Sequence, residues 1–101
     1  MKSIPYGRQF IDHDDIEFVV QTLKSDFLTQ GPLIDKFEKK LSRKVGAKYC
    51  AVVNSATSAL HVSCLALGLS KNDLMWTVPN SFVASANCGL YCGAKIDFVD
   101  I

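Results

Sequence analysis

The chain has 101 residues, 49% hydrophobic and 21% charged, with a formal net charge of +1. That composition is ordinary for a globular protein and excludes a disordered or collagen-like chain, while no apolar run reaches the roughly 18 residues of a membrane span. The start Met1-Lys2-Ser3-Ile4-Pro5 lacks the apolar core of a signal peptide, and near-neutral charge gives no electrostatic case for nucleic acid, so a cytoplasmic protein without membrane or nucleic-acid partners is expected.

Residues 1–12 show no period and read as an extended arm. Asp12 or Asp14 can cap the segment that follows, where Ile16, Val19, Val20 and Leu23 recur at i, i+3, i+4 and i+7. That is one apolar helical face, ending near Ser25. Phe27-Leu28-Thr29-Gln30-Gly31-Pro32 reads as a loop, because Gly31-Pro32 punctuates the chain and Pro32 suits a helix start. A second helix carries Ile34, Phe37, Leu41 and Val45 on one side and charge on the other, and Gly46 stops it. Its basic cluster, Lys39, Lys40, Arg43 and Lys44, sits beside Asp35 and Glu38 and reads as a solvated face.

The texture then changes. Residues 49–53 read as a buried strand, 57–67 as a helix closed by Gly68, and Leu74 to Val78 as a second strand ended by Pro79. Ser81 to Cys92 reads as a helix with Ser81 or Asn80 as its cap and Gly93 as terminator, and Lys95 to Val99 as a third strand. The alternation β-α-β-α-β argues for a parallel sheet covered by helices. Two parts are expected: an arm with two helices over 1–48, and a first βαβαβ portion over 49–101. Three parallel strands leave two raw edges and bury little, so the chain reads as a piece of something larger.

The turn between the first of these strands and its helix, Val53-Asn54-Ser55-Ala56-Thr57-Ser58, carries the chemistry. A helix start offers unpaired N–H groups and the positive end of a dipole, and small side chains let an anion approach. A phosphate suits it. The plainer account is that Asn54 or Ser55 merely caps the helix. No GxGxxG and no GxxxxGK[ST] occurs in the chain. The cysteines Cys50, Cys64, Cys88 and Cys92 fall at apparently buried positions and behave as small hydrophobes; neither zinc nor a disulfide framework is expected. His61 shares a face with Thr57 but reads as a packed imidazole, and His13 as a solvated one.

Taken in order, three blocks resemble a known family. They are Asn54-Ser55-Ala56-Thr57-Ser58-Ala59-Leu60-His61, Pro79-Asn80-Ser81-Phe82-Val83-Ala84-Ser85-Ala86-Asn87 and Gly93-Ala94-Lys95-Ile96-Asp97-Phe98-Val99-Asp100. They look like the front of a DegT-type sugar aminotransferase, and Leu28-Thr29-Gln30-Gly31-Pro32 is similar to that family's N-terminal loop. Within the family the first block looks most like the pseudaminic-acid branch, whose members aminate C4 of a UDP-linked 4-keto-6-deoxy N-acetylhexosamine with glutamate as donor. The resemblance implies an α/β fold: the N-terminal part of the three-layer α/β/α large domain of pyridoxal-phosphate transferases, the aspartate-aminotransferase fold, dimeric when complete. It implies pyridoxal 5'-phosphate as cofactor, held by the backbone amides of Thr57 and Ser58 with the Thr57 hydroxyl, and stacked on Phe82. It implies Thr29, Gly31 and Tyr6 near the sugar nucleotide.

Transamination needs a lysine for the cofactor and a carboxylate at its ring nitrogen. The resemblance implies that both lie past residue 101, and no lysine of this chain fits the role, so no catalytic residue is assigned here. It also implies that the strand at 49–53 lies across the sheet from the later two, with its neighbours outside this chain; alone, the chain is expected to be unstable, self-associating or differently packed, and inactive. Ala56 stands where many relatives have Gly, and Asn72-Asp73-Leu74-Met75-Trp76-Thr77 departs from the usual strand entry, with Trp76 expected in a core. The competing reading is a small non-enzymatic α/β module that binds a phosphorylated ligand or a protein partner.

Overall fold

Helix formation begins where the chain supplies its own cap. In the computed structural model, which describes residues 4–101, the Asp12 carboxylate accepts from the Asp15 amide at 3.1 Å and the Asp15 carboxylate from the Asp12 amide at 3.2 Å. This reciprocal box opens α1, His13–Leu23. Hydroxyls take over the carbonyls at its far end: Thr22 Oγ1 donates to Phe18 O at 2.8 Å and Ser25 Oγ to Thr22 O at 2.7 Å.

Helix α2, Pro32–Val45, starts with Pro32 in its first turn and carries Asp35 near its positive end and Arg43 and Lys44 near its negative end. Gly46, left-handed at φ 69°, ends it while Ala47 N donates to Ser42 O at 2.9 Å. The loop between the helices is tight. A Cβ on Gly31 would sit 2.8 Å from Phe27 Cβ and 3.1 Å from Phe27 O, so only glycine fits there.

The chain forms two compact units, and the second runs from Ala51 to Ile101. It contains α3 (Ala56–Ala66), β1 (Leu74–Thr77), α4 (Ala84–Tyr91) and β2 (Lys95–Phe98). The Ser70 amide and hydroxyl donate to Asp73 Oδ2 at 2.8 and 2.9 Å, fixing the turn that feeds β1. Strands β1 and β2 run parallel, Leu74 opposite Lys95 and Thr77 opposite Phe98. The buried residues are Ala84, Cys88 and Gly89 on α4 and Ala94 just before β2. Gly89 is the closest approach: a Cβ there would stand 2.5 Å from Ile96 Cδ1 and 2.8 Å from Met75 Cε.

Four sequence expectations need correction. Residues 49–53 form no strand, because the sheet among the described residues holds β1 and β2 alone and a strand exists only through its ladder. Helix α4 begins at Ala84 without a side-chain cap from Asn80 or Ser81. Instead the Ser85 and Ala86 amides bond to Phe82 O and Val83 O, both at 3.0 Å, so a tight i→i−3 turn leads into the helix. Trp76 is 67% exposed, since helix α4 covers the sheet face of Met75 and Ile96 and Trp76 alternates onto the other face. Of the four cysteines, Cys88 is buried while Cys50, Cys64 and Cys92 are half-buried.

The accessible surface is 9124 Å². A compact monomer of this mass would expose about 5,700 Å², and two separate half-size domains about 6,800 Å² in total. The excess is more than about 2,000 Å², and the large apolar residues left exposed include Ile34, Phe37, Leu41 and Val45 of α2 and Trp76 and Phe98 of the sheet.

Two outcomes follow from this. The isolated 101-residue chain binds the dye ANS and loses its far-UV signal gradually on heating; a sharp cooperative melt without dye binding would show that the burial is sufficient after all. A peptide spanning residues 10–47 and carrying Asp12→Ala loses helicity by circular dichroism, to the extent of about 1 kcal/mol from the lost cap.

Candidate functional site

Helix α3 starts in a run of side chains too small to shield its backbone. Ser55 is the N-cap: its Oγ accepts from the Ser58 amide at 3.1 Å. The plainer account of this turn is therefore realised, at Ser55, but it satisfies one donor only. The amides of Ala56 and Thr57 and the Thr57 hydroxyl have no hydrogen-bond partner among the described residues, as the geometry of a first helical turn dictates. No acidic residue lies in that turn. Two N–H groups, one hydroxyl and the positive end of an 11-residue helix form a donor set suited to an anion.

Asn54 adds a detail that the sequence pattern did not single out. Its Oδ1 accepts from Ser58 Oγ at 2.8 Å, and Ser55 Oγ donates to Ser58 Oγ at 3.0 Å. The one proton of Ser58 is thus committed to Asn54, leaving the Thr57 hydroxyl as the available side-chain donor. The serine at i+3 from the cap was the signal that could have found this.

Phe82 lies in the turn between β1 and α4 and is 74% exposed. Thr57 and Ser58 are half-buried in the same unit, and α3 packs against α4. His61 stacks edge-on against Tyr91, ring centroids 5.3 Å apart, in a packing role. Tyr6, Thr29 and Gly31 belong to the first unit. Tyr6 and Thr29 are exposed, and the closeness of Phe27 already accounts for the glycine at 31. Between them Gln30 adopts φ 50°, a conformation a glutamine rarely takes and one that no sequence signal marks. A cleft of about 410 Å³ opens nearby, with Phe18, Thr22, Phe27, Leu33 and Lys36 among its lining; Thr29 and Gly31 are not part of it.

A parallel βαβ unit, preceded by a helix whose first turn keeps free donors, makes this an α/β protein, and the comparisons narrow the class. The model of the DegT/DnrJ/EryC1/StrS aminotransferase family matches residues 9–101, and the chain belongs to that family. It is 45% identical over 98 residues to the UDP-4-amino-4,6-dideoxy-N-acetyl-beta-L-altrosamine transaminase of Campylobacter jejuni strain 81-176, covering 97% of this chain and 26% of that protein. It is 38% identical to the spore coat polysaccharide biosynthesis protein SpsC of Bacillus subtilis, over 97% of this chain and 25% of SpsC.

Solved structures give the fold. PseC of Helicobacter pylori, an aminotransferase involved in pseudaminic acid biosynthesis, superposes with a TM-score of 0.89 at 36% identity, over 99% of this chain and 28% of PseC. Spr1654 of Streptococcus pneumoniae, described as a sugar aminotransferase and solved in its PLP form, gives 0.91 at 30% identity, over 99% of this chain and 26% of Spr1654. The α/β fold is therefore that of the sugar aminotransferases. The chain spans about a quarter of the length of the relatives it matches.

If Ser55 is the cap, Ser55→Ala costs about 1 kcal/mol of local stability and speeds hydrogen exchange at the Ser58 amide several-fold. An unchanged exchange rate would remove the cap from this account.

Proposed function

We propose that this chain is part of a sugar-nucleotide aminotransferase that moves an amino group from glutamate to the C4 keto group of a UDP-linked 4-keto-6-deoxy sugar. The observation that carries the proposal is the donor set at the start of α3, in a chain whose relatives include UDP-amino-sugar transaminases. Two amides and a hydroxyl without acceptors suit the phosphate of pyridoxal 5'-phosphate, and a carboxylate in that turn would have spoiled the fit.

Pyridoxal phosphate supplies the electron sink that amino transfer requires. The residues of this chain bind and orient it. The amides of Ala56 and Thr57 and the Thr57 hydroxyl donate to the phosphate oxygens, and the α3 dipole favours their charge. The Ser58 amide, expected from the sequence to donate to the phosphate beside that of Thr57, donates to Ser55 Oγ instead. Ser58 thus serves the cofactor by holding the turn in shape, and Ala56 takes its place as donor. The exposed ring of Phe82 offers a flat face to the cofactor ring, contributing about 0.5–1.5 kcal/mol. Thr29, Gly31 and Tyr6 serve the sugar-nucleotide side.

In this reading residues 1–48 are the arm and helical lead-in, and residues 49–101 open the cofactor-binding domain. Residues 49–53 become a strand once neighbouring strands flank them. The working enzyme is a cytoplasmic homodimer in which the cofactor-binding lysine comes from outside this chain, and pseudaminic-acid formation is the pathway it suits, given its likeness to PseC.

Mixing the purified 101-residue chain with pyridoxal phosphate gives no borohydride-fixable adduct at any single lysine, whereas the full-length protein gives one. In that protein Thr57→Ala weakens cofactor retention about tenfold on dialysis, the equivalent of about 1.4 kcal/mol. A specific adduct on the short chain, or unchanged retention in the variant, overturns this assignment.

A further inference from the structure

The cleft of about 410 Å³ lies wholly within the first unit, between the last two turns of α1, the loop that follows and the first turn of α2. Phe18, Phe27 and Leu33 give it apolar walls, and the two rings are 60% and 63% exposed. No role above uses it.

Local bonds set those walls before anything enters. Gly31 fits so closely that a Cβ there would stand 2.8 Å from Phe27 Cβ. Thr22 Oγ1 donates to Phe18 O at 2.8 Å, and Ser25 Oγ lies 2.7 Å from Thr22 O and 3.2 Å from Phe27 O. Both hydroxyls of the cleft therefore spend their single protons on backbone carbonyls. They brace the backbone that carries the two rings and leave recognition to other groups.

Two charged groups are available for it. The Asp26 carboxylate and the Lys36 ammonium both line the cleft, and neither side chain makes a hydrogen bond or ion pair among the described residues. Ligand sites of about 300–1,000 Å³ combine mostly apolar walls with a few polar groups that fix orientation. Here the two charges decide what fits. An anion held by Lys36 would face an unanswered Asp26, and a cation held by Asp26 would face an unanswered Lys36. A neutral aromatic would use neither. A zwitterion answers both charges, and a flat apolar body answers the rings.

We propose that this cleft binds a free α-amino acid with an aromatic side chain. Its carboxylate pairs with Lys36, its ammonium with Asp26, and its ring lies against Phe18 and Phe27. Both charged residues are exposed, so the binding weakens as salt is added. The inference rests on the first unit alone and needs neither the cofactor nor the proposed function.

The test titrates the full-length protein with L-phenylalanine by calorimetry, a readout independent of turnover. The expected result is saturable binding that Lys36→Gln and Asp26→Asn each weaken about tenfold. Melting temperatures of both variants are measured alongside, so that lost binding is not confused with unfolding. Two analogues put the same question to the unaltered protein and its variants. Binding of 3-phenylpropanoate, which lacks the ammonium, is weaker and indifferent to Asp26→Asn; that of phenethylamine, which lacks the carboxylate, is weaker and indifferent to Lys36→Gln. No saturable binding of L-phenylalanine, or binding that both substitutions leave unchanged, overturns the proposal. So does equal binding of N-acetyl-L-phenylalaninamide, which carries neither charge.

Discussion

Gly89 is where this chain closes on itself. Without a side chain there, α4 comes down onto Met75 of β1 and Ile96 of β2, the two residues that face each other across the ladder. Ala84 and Cys88, one turn apart on the same helix, complete the buried strip. Small residues at the contact let helix and sheet approach closely, and that closeness compensates for a sheet of only two strands. The parallel pairing, the crossover through α4 and the contact of α4 with α3 all depend on this strip.

Beyond that strip the molecule is open. The α2 stripe is amphipathic, but its apolar residues stay exposed, and the sheet presents Trp76 and Phe98 to solvent. Parallel sheets are normally covered on both faces, and here one face is bare. The relatives are about four times as long as this chain. The exposure of Trp76 and the absence of a ladder at residues 49–53 both turn on long-range packing and pairing, which a local pattern of residues does not decide.

The start of α3 shows how a set of free donors is assembled from ordinary local chemistry. A cap is needed in any case, and Ser55 supplies it; the remaining donors point outward because a helix cannot satisfy its own first turn. Asn54 and Ser55 then hold Ser58, so the turn has its shape before any guest arrives. A pre-shaped donor set of this kind binds an anion without first ordering the loop.

The helices were legible in the residues. Asp12, Pro32 with Gly46, and Gly68 and Gly93 mark ends that the structure places within a residue or two, while the part of Asp15 in the box at Asp12 emerged only from the structure. The family was legible as well, through blocks of small polar residues, and its model matches residues 9–101. The start of α4 was misread because Asn80 and Ser81 look like caps, yet the chain enters through the Phe82 and Val83 carbonyls. Gln30 at φ 50° left no trace in the sequence, since nothing about a glutamine announces a left-handed backbone. By itself the sequence determined what short-range bonds can decide: the helix bounds other than the start of α4, the turn at Ser55 and the two strands joined through one helix. Tertiary structure alone decided which apolar residues are covered and whether residues 49–53 become a strand. A helical hydrogen bond finds its partner four residues away, whereas a ladder or a core must find one that the rest of the fold brings to it.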